Sequence, residues 1–317
     1  MEPKTLQAAI VYFSNPDNCV SYLVQLRWPG GVVCPTCGRT DVSYVAKRRV
    51  WQCRSRHPKS QFSPKVGTVM EDSPIGLDKW LMAMWMVSNC KNGISSWEIH
   101  RSLGVTQKTA WFLLHRIRLA MMENCGQLSG TVEMDETFIG GKVKNMHKSK
   151  KPKGPGISGR PVAGTAKTIV VGMLERNGRV KAEVVGERTH QVLHELATRS
   201  IAQGSTLISD EWGGYKGVDL QHEVINHAES YVRGLVHTNG IENFWSLLKR
   251  GLGGTYISVE PFHLFRYIDE QAFRYNNRAT PDNPLNDSDR FALVVSQIVG
   301  RRITYRELTG KENARQF

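Results

Sequence analysis

Two thiols three positions apart, in Cys34-Pro-Thr-Cys37-Gly38, constrain this chain more than any other feature. The glycine permits the backbone reversal that aims both sulfurs at one point. Downstream, the strand-like Arg49-Val-Trp-Gln52 runs into Cys53-Arg-Ser-Arg-His57, a second pair of candidate ligands. Two such knuckles on successive hairpins supply four tetrahedral ligands, Cys34, Cys37, Cys53 and His57, a set that suits structural Zn²⁺. The bound ion then substitutes for a core in a module too small to bury enough apolar area alone. A small ribbon is expected. A helical stretch over residues 1 to 25 leads into it, with Leu6, Ile10, Tyr12 and Phe13 on one apolar side, and Phe62 to Met70 close it.

The six cysteines (19, 34, 37, 53, 90, 125) are unevenly placed, which argues for metal binding over a disulfide framework. A chain of 317 residues suggests two or three domains. Its formal net charge of +13 points to a polyanionic partner, nucleic acid above all. No apolar run approaches the roughly 20 residues of a spanning helix, and the opening MEPKTLQAAIVYF lacks a signal-peptide plan. A cytoplasmic, nucleoid-associated protein with no membrane partner is expected.

Residues 77 to 89, LDKWLMAMWMVSN, read as a helix whose Met and Trp residues are core. From Ile94 to Arg118 the pattern is helix, glycine turn, helix. Ser102-Leu-Gly-Val-Thr106 makes the turn, and Thr106 caps a second helix with Gln107, Lys108 and Thr109 on its first turn. A helix-turn-helix places such residues at base edges or phosphates. His100 and His115 read as ordinary helix residues.

Around Gln127-Leu-Ser-Gly130 the pattern turns extended. Thr131 to Phe138 alternates like a strand and carries Asp135 and Glu136. Residues 142 to 161, rich in Lys, Gly and Pro, read as a solvated basic loop that contacts nucleic acid through Lys148, Lys150 and Lys151. Strands follow at Thr168 to Leu174 and Val180 to Val185, a hairpin by its Arg176-Asn-Gly178 turn. After an amphipathic helix (190 to 202), a buried strand ends on Asp210-Glu-Trp-Gly-Gly-Tyr215, and a short strand lies at 223 to 226. His237 to Arg250 then begins a helix with Ile241, Trp245 and Leu248 at core-facing spacing. Glu242 and Lys249 share another face, two turns apart. Asn239 with Glu242 also fits a simple capping box. A long helix (260 to 276) and a polar tail with one apolar helical patch, Phe291 to Ile298, complete the chain.

Strands first, then a crossover helix to further strands, match the ribonuclease H-like arrangement, in which two strand-end aspartates and a helix-borne glutamate converge. Carboxylates gathered at one point repel and require a cation, and oxygen ligands without thiols select Mg²⁺ or Mn²⁺. Two such ions about 3.5 to 4 Å apart activate an attacking hydroxyl and stabilise a leaving 3′-oxygen. Adjacent strand residues point to opposite faces, so one of Asp135 and Glu136, and one of Asp210 and Glu211, is expected at the metal. Trp212 and Tyr215 are candidates for core packing or for stacking on a DNA end.

The motifs C-P-x-C-G with its second knuckle, V-E-M-D-E-T-x-x-G-G-K, S-D-E-W-x-x-Y and H-T-N-x-I-E-N-F-W-S-L-L-K-R-G together closely resemble bacterial insertion-sequence transposases. The likeness is to the group with an N-terminal zinc ribbon and a DDE-type catalytic domain, and it covers about residues 15 to 280. It implies Asp135, Asp210 and Glu242 as the Mg²⁺-binding triad and Lys249 as the basic residue two turns on, with His237 and Asn239 as supporting groups. Some related groups carry Asn at the third position, so Asn239 or Asn243 is an alternative to Glu242; the Glu242-to-Lys249 spacing and the stronger Mg²⁺ affinity of a carboxylate favour Glu242. His57 departs from the Cys of many relatives. The expected fold is an α+β multidomain chain: N-terminal helix and zinc ribbon (1–72), helix-turn-helix region (73–126), ribonuclease H-like mixed sheet flanked by helices (127–285), and tail (286–317). The resemblance implies binding of double-stranded DNA at element ends and target, as a homodimer or larger, with 3′-end cleavage and strand transfer. A non-catalytic zinc-ribbon regulator would bind without cutting, and a ribonuclease H-like nuclease would cut without joining.

Overall fold

The computed structural model describes residues 3–124, 126–141, 167–210, 213–215, 217–225 and 237–310. The chain forms two compact units, Met1–Met122 with Asn277–Phe317, and Glu123–Asn276.

The first unit opens with α1 (Leu6–Phe13) and α2 (Pro16–Arg27). The single helix expected there breaks because Asn15 caps α2 through Asp17 N–H (2.9 Å) and Pro16 takes the first helical position. The ribbon follows as a three-stranded antiparallel sheet of β1 (Val42–Val45), β2 (Val50–Cys53) and β3 (Gln61–Phe62). Trp28, Trp51 and Phe62 pack their rings together over Val20, Cys34 and Cys53. Next comes α3 (Leu77–Asn89), in which Trp80, Leu81, Met84 and Trp85 are buried, as a core helix requires. The helical pair is α4 (Ser96–Leu103) and α5 (Gln107–Met121), joined through Gly104 at φ +60.

The second unit is built on a five-stranded sheet. Its elements are β4 (Thr131–Ile139), β5 (Thr168–Glu175), β6 (Val180–Val185), α6 (His190–Ser200), β7 (Thr206–Asp210), β8 (Gln221–Ile225), α7 (Asn239–Arg250) and α8 (Leu264–Asn276). The strand order is β6-β5-β4-β7-β8. The β4-β5-β6 meander is antiparallel, and β7 and β8 join parallel to β4. This is the ribonuclease H-like order, with the first strand at the centre. Both faces are covered, which is why β5 reads as a nearly continuous apolar run. Val132, Met134, Val171 and Met173 face Leu193, Leu196 and Ala197 of α6. Val170 and Leu174 face Ile241, Phe244, Trp245 and Leu248 of α7 and Ile268 of α8.

The C-terminal segment returns to the first unit as α9 (Asp287–Ser296) and α10 (Tyr305–Leu308). Phe291 joins a ring cluster with Phe13, Tyr22 and Trp85 at centroid separations of 5.0 to 5.8 Å. Among the described residues, no helix is long and apolar enough to cross a membrane.

Candidate functional site

The ribbon brings Cys34, Cys37, Cys53 and His57 together, with one ligand atom of each within 4.8 Å of the others. Cys34 Sγ lies 3.5 Å from His57 Nε2, and Cys37 Sγ lies 3.7 Å from Cys53 Sγ. Gly38, at φ +72, reverses the first knuckle and donates to the Cys34 carbonyl (2.8 Å). His57 Nδ1 is engaged by the Pro58 carbonyl at 2.7 Å, which leaves Nε2 facing the thiols, the tautomer a metal-bound imidazole needs. Burial raises the Cys53 thiol, but hydrogen bonds from His57 and the Ser55 backbone outweigh it and bring the group down to about 6. Three thiols and one imidazole fit a structural Zn²⁺.

A second donor group lies at the sheet. Carboxylate oxygens of Asp135, Glu136 and Asp210 fall within 4.8 Å of one another. Pairing of β4 with β7 runs from Thr131–Thr206 to Glu133–Ile208 and stops there. Continuing that register by two residues brings Asp135 level with Asp210, the last residue of β7. The alternation expected for β4 holds, yet its corollary that Glu136 must be excluded does not. Asp135 turns to the α7 face, where Trp245 Nε1 donates to its Oδ2 at 2.9 Å. Glu136 leaves by the opposite face, toward Arg188 (Nε 2.7 Å, Nη2 3.4 Å). Beyond Glu133, β7 no longer pairs with this edge of β4, so side chains from both faces reach the same corner.

The acids bear on one another. Asp135 is pushed up to about 6, first by burial and then by the neighbouring charges of Glu136 and Asp210, against the pull of the Glu136 backbone and the Trp245 indole. Tyr215 lies buried against Glu136, and burial raises its hydroxyl far above the usual range. A cation would relieve this concentration of charge, and three hard oxygens are the donor set that Mg²⁺ or Mn²⁺ takes.

On α7, Ile241, Phe244, Trp245 and Leu248 are buried while Glu242, Asn243 and Lys249 are exposed, the division expected from spacing. Glu242 stands outside the group formed by Asp135, Glu136 and Asp210, and accepts from Thr238 Oγ1 at 3.3 Å. Asn239 is the first helical residue, not the cap, so the simple capping box does not form; Thr238 occupies the cap position. Two glycines let α7 lie close to the sheet. A Cβ on Gly172, which pairs with Asp135, would meet the Trp245 ring at 2.6 Å, and one on Gly240 would meet Leu174 at 2.5 Å and Glu133 at 2.8 Å.

Glu133 is the residue that sequence reasoning missed. Its buried carboxylate accepts from Ile241 N–H at 2.9 Å and from Arg176 Nη2 at 3.3 Å, with His237 Nδ1 at 3.5 Å. Arg176 also donates to the His237 carbonyl at 3.1 Å. His237 thus sits at the Glu133–Arg176 pair that holds the start of α7. The available signal was parity: Glu133 and Asp135 are two apart on one strand and so share the α7 face.

In the helical pair, Thr106 caps α5 by accepting from Thr109 N–H at 3.1 Å. Gln107 is half-buried and donates to Ser96 Oγ on α4 at 2.8 Å. Lys108 is exposed, with its ammonium 4.6 Å above the Tyr305 ring. Lys148, Lys150 and Lys151 lie outside the described residues, as do Glu211 and Trp212.

Residues 127–276 match the family model for an ISXO2-like transposase domain, and residues 14–55 match a transposase zinc-ribbon domain. A relative from Halobacterium salinarum, described as an uncharacterized protein in transposable element ISH50, is 26% identical over 251 residues, 76% of this chain and 84% of its own length. Among solved structures, a simian T-cell lymphotropic virus intasome in complex with PP2A regulatory subunit B56 gamma aligns with a TM-score of 0.27 and 13% identity. That alignment covers 60% of this chain and 65% of the other, and so slight a likeness leaves the strand order as the basis for the fold. The two matched domains, in this order and around these two donor groups, make the chain a member of the insertion-sequence transposases that join a zinc ribbon to an ISXO2-like, DDE-type domain.

Proposed function

We propose that this transposase binds the terminal repeats of its element, cuts their 3′ ends and joins them to target DNA. The reading rests on the meeting of Asp135 and Asp210, from the central strand and its parallel neighbour, at the open corner of the sheet. Bound Mg²⁺ or Mn²⁺ would supply electrostatic stabilisation of the attacking and leaving oxygens. Asp135 and Asp210 hold that charge, and the Trp245 indole fixes which Asp135 oxygen is turned away from it. Glu242 is the third carboxylate, with Asn239 and Asn243 as the neighbouring amides that can take its part. Lys249 touches a phosphate oxygen from the same helix face. His237 supports the site through the start of α7. Water attacks in the first step and the freed 3′-hydroxyl in the second, so no covalent protein–DNA link forms. Positioning supplies most of the catalysis.

DNA is held by the ribbon, by Gln107, Lys108 and Thr109, and by Lys148, Lys150 and Lys151 of the basic loop. Two ends must be joined together, so the working form is a dimer or larger on DNA; a monomer on paired ends in solution scattering would count against it. The decisive experiment incubates the protein and an Asp210→Asn variant with Mg²⁺ and labelled genuine element ends. Joined products from wild type alone support the proposal. Cutting without joining identifies a nuclease, and tight binding with no products from either protein identifies a regulator.

A further inference from the structure

Past Lys249 and Arg250 the catalytic-domain helix does not stop. It widens into a π-helical turn, Gly251–Tyr256, and ends on Ile257. Ile257 has φ +61 and ψ −54, and Ser258 N–H donates to the Tyr256 carbonyl at 2.6 Å across it. This is a γ-turn of the positive-φ kind, rare and strained, with a β-branched residue at its centre. The same side chain is 82% exposed, the highest value for a large apolar residue among the described ones. Strain and exposure both disfavour isoleucine here, and strain of this kind persists only where the surroundings impose it.

The surroundings do impose it. Tyr256, the residue before the tip, hydrogen-bonds through its hydroxyl to Glu270, which is fully buried and paired with Arg274. The Tyr256 ring also packs edge-on against Tyr267 at 4.7 Å. The turn is therefore fastened from beneath, and the Ile257 side chain projects at its tip. On the approach side, Gly253 and Gly254 are exposed and have open space where a Cβ would be. They leave bare backbone directly after the exposed cations Lys249 and Arg250.

We propose that Ile257 is an apolar wedge that enters between base pairs of bound duplex DNA. The glycines admit the sugar–phosphate backbone and Lys249 and Arg250 face its charge. Apolar side chains that unstack a base step work in this way, and the kink they produce lets more protein surface touch the duplex. Lys249 and Arg250, about two turns back along the helix from the tip, favour a polyanion over a second protein surface. The inference rests on the transposase reading for its ligand, and it assigns α7 a contact away from the cut phosphate. Ile257 lies fifteen residues beyond Glu242, about 20 Å at helical rise.

The test scans 2-aminopurine, which brightens when unstacked, through end and target duplexes mixed with full-length protein. Wild type should brighten the probe at one step. Ile257→Gly, which relieves the strained backbone, should bind with unchanged zinc content and no loss of stability but leave that step dark, whereas Ile257→Met should keep it bright. Joined product from Ile257→Gly should fall about tenfold on intact duplex and recover when a mismatch pre-opens the responding step. A scan that is dark throughout with wild type, or equally bright with Ile257→Gly, overturns the wedge. Brightening needs binding alone, so a protein that brightens one step yet neither cuts nor joins would sink the transposase reading and keep the wedge.

Discussion

Asp135 gives the sharpest test of the acidic site, because its charge is a liability until a cation arrives. Its carboxyl is raised from 3.8 to about 6. A gap of about two units corresponds to about 3 kcal/mol, since each unit is worth about 1.4 kcal/mol. The folded state holds the proton more tightly than the unfolded chain. The associated stability is therefore present in full below about pH 4 and is lost as pH rises through about 6. Asn at this position keeps the shape, can still accept from the Trp245 indole, and never ionises. Asp135→Asn should then be more stable than wild type at pH 8 in EDTA, by at most about 3 kcal/mol. At pH 4.5 the difference should shrink toward zero. Added Mg²⁺ should stabilise wild type at pH 8 and leave the variant almost unmoved, because the neutral amide has given up most of its attraction for the ion. Urea unfolding followed by circular dichroism reads all of these comparisons. A variant less stable than wild type at pH 8 in EDTA, or one offset by the same amount at both pH values, would refute the reasoning.

Four further outcomes follow from packing and ligation. Gly172→Ala drives a methyl into the Trp245 ring, 2.6 Å away; unfolding should show a loss of about 1 to 3 kcal/mol, with the indole displaced from Asp135 and cleavage reduced. Glu133→Ala strands Ile241 N–H and the Arg176 guanidinium and should cost about 2 to 4 kcal/mol, while Glu133→Gln, which keeps an acceptor for Ile241, should lose less in the same urea titration. Chelating zinc, or Cys34→Ser, should unfold the ribbon and abolish end binding in a gel-shift assay, while the sheet's own unfolding transition persists. Phe291→Ala empties the ring cluster around Tyr22 and Trp85 and should destabilise the first unit by about 3 to 5 kcal/mol in the same titration.

What could be read in advance was whatever short-range chemistry dictates. The four ribbon ligands follow from knuckle spacing, and the buried stripe of α7 follows from the three- and four-residue intervals between Ile241, Trp245 and Leu248. The meeting of Asp135 with Asp210 needed one more ingredient, the parallel pairing of β4 with β7, which strand order alone suggests. What stayed hidden was long-range. Nothing local marks Glu133 as the acceptor for a backbone N–H over a hundred residues later, or Phe291 as a partner of the first two helices. The exclusion of Glu136 failed for a related reason. Alternation gives the face from which a side chain leaves its strand, but not where its end arrives once the neighbouring strand has stopped. At such an edge an acid from each face can serve one corner, and here Arg188 draws the Glu136 carboxylate while Trp245 holds that of Asp135. The two fastenings are unequal in kind, a charge pair and a neutral donor. An arriving cation must compete with the guanidinium for Glu136, whereas at Asp135 it meets neutral donors, the Trp245 indole and the Glu136 backbone. That asymmetry makes the Asp135 carboxylate easier than that of Glu136 for a cation to recruit.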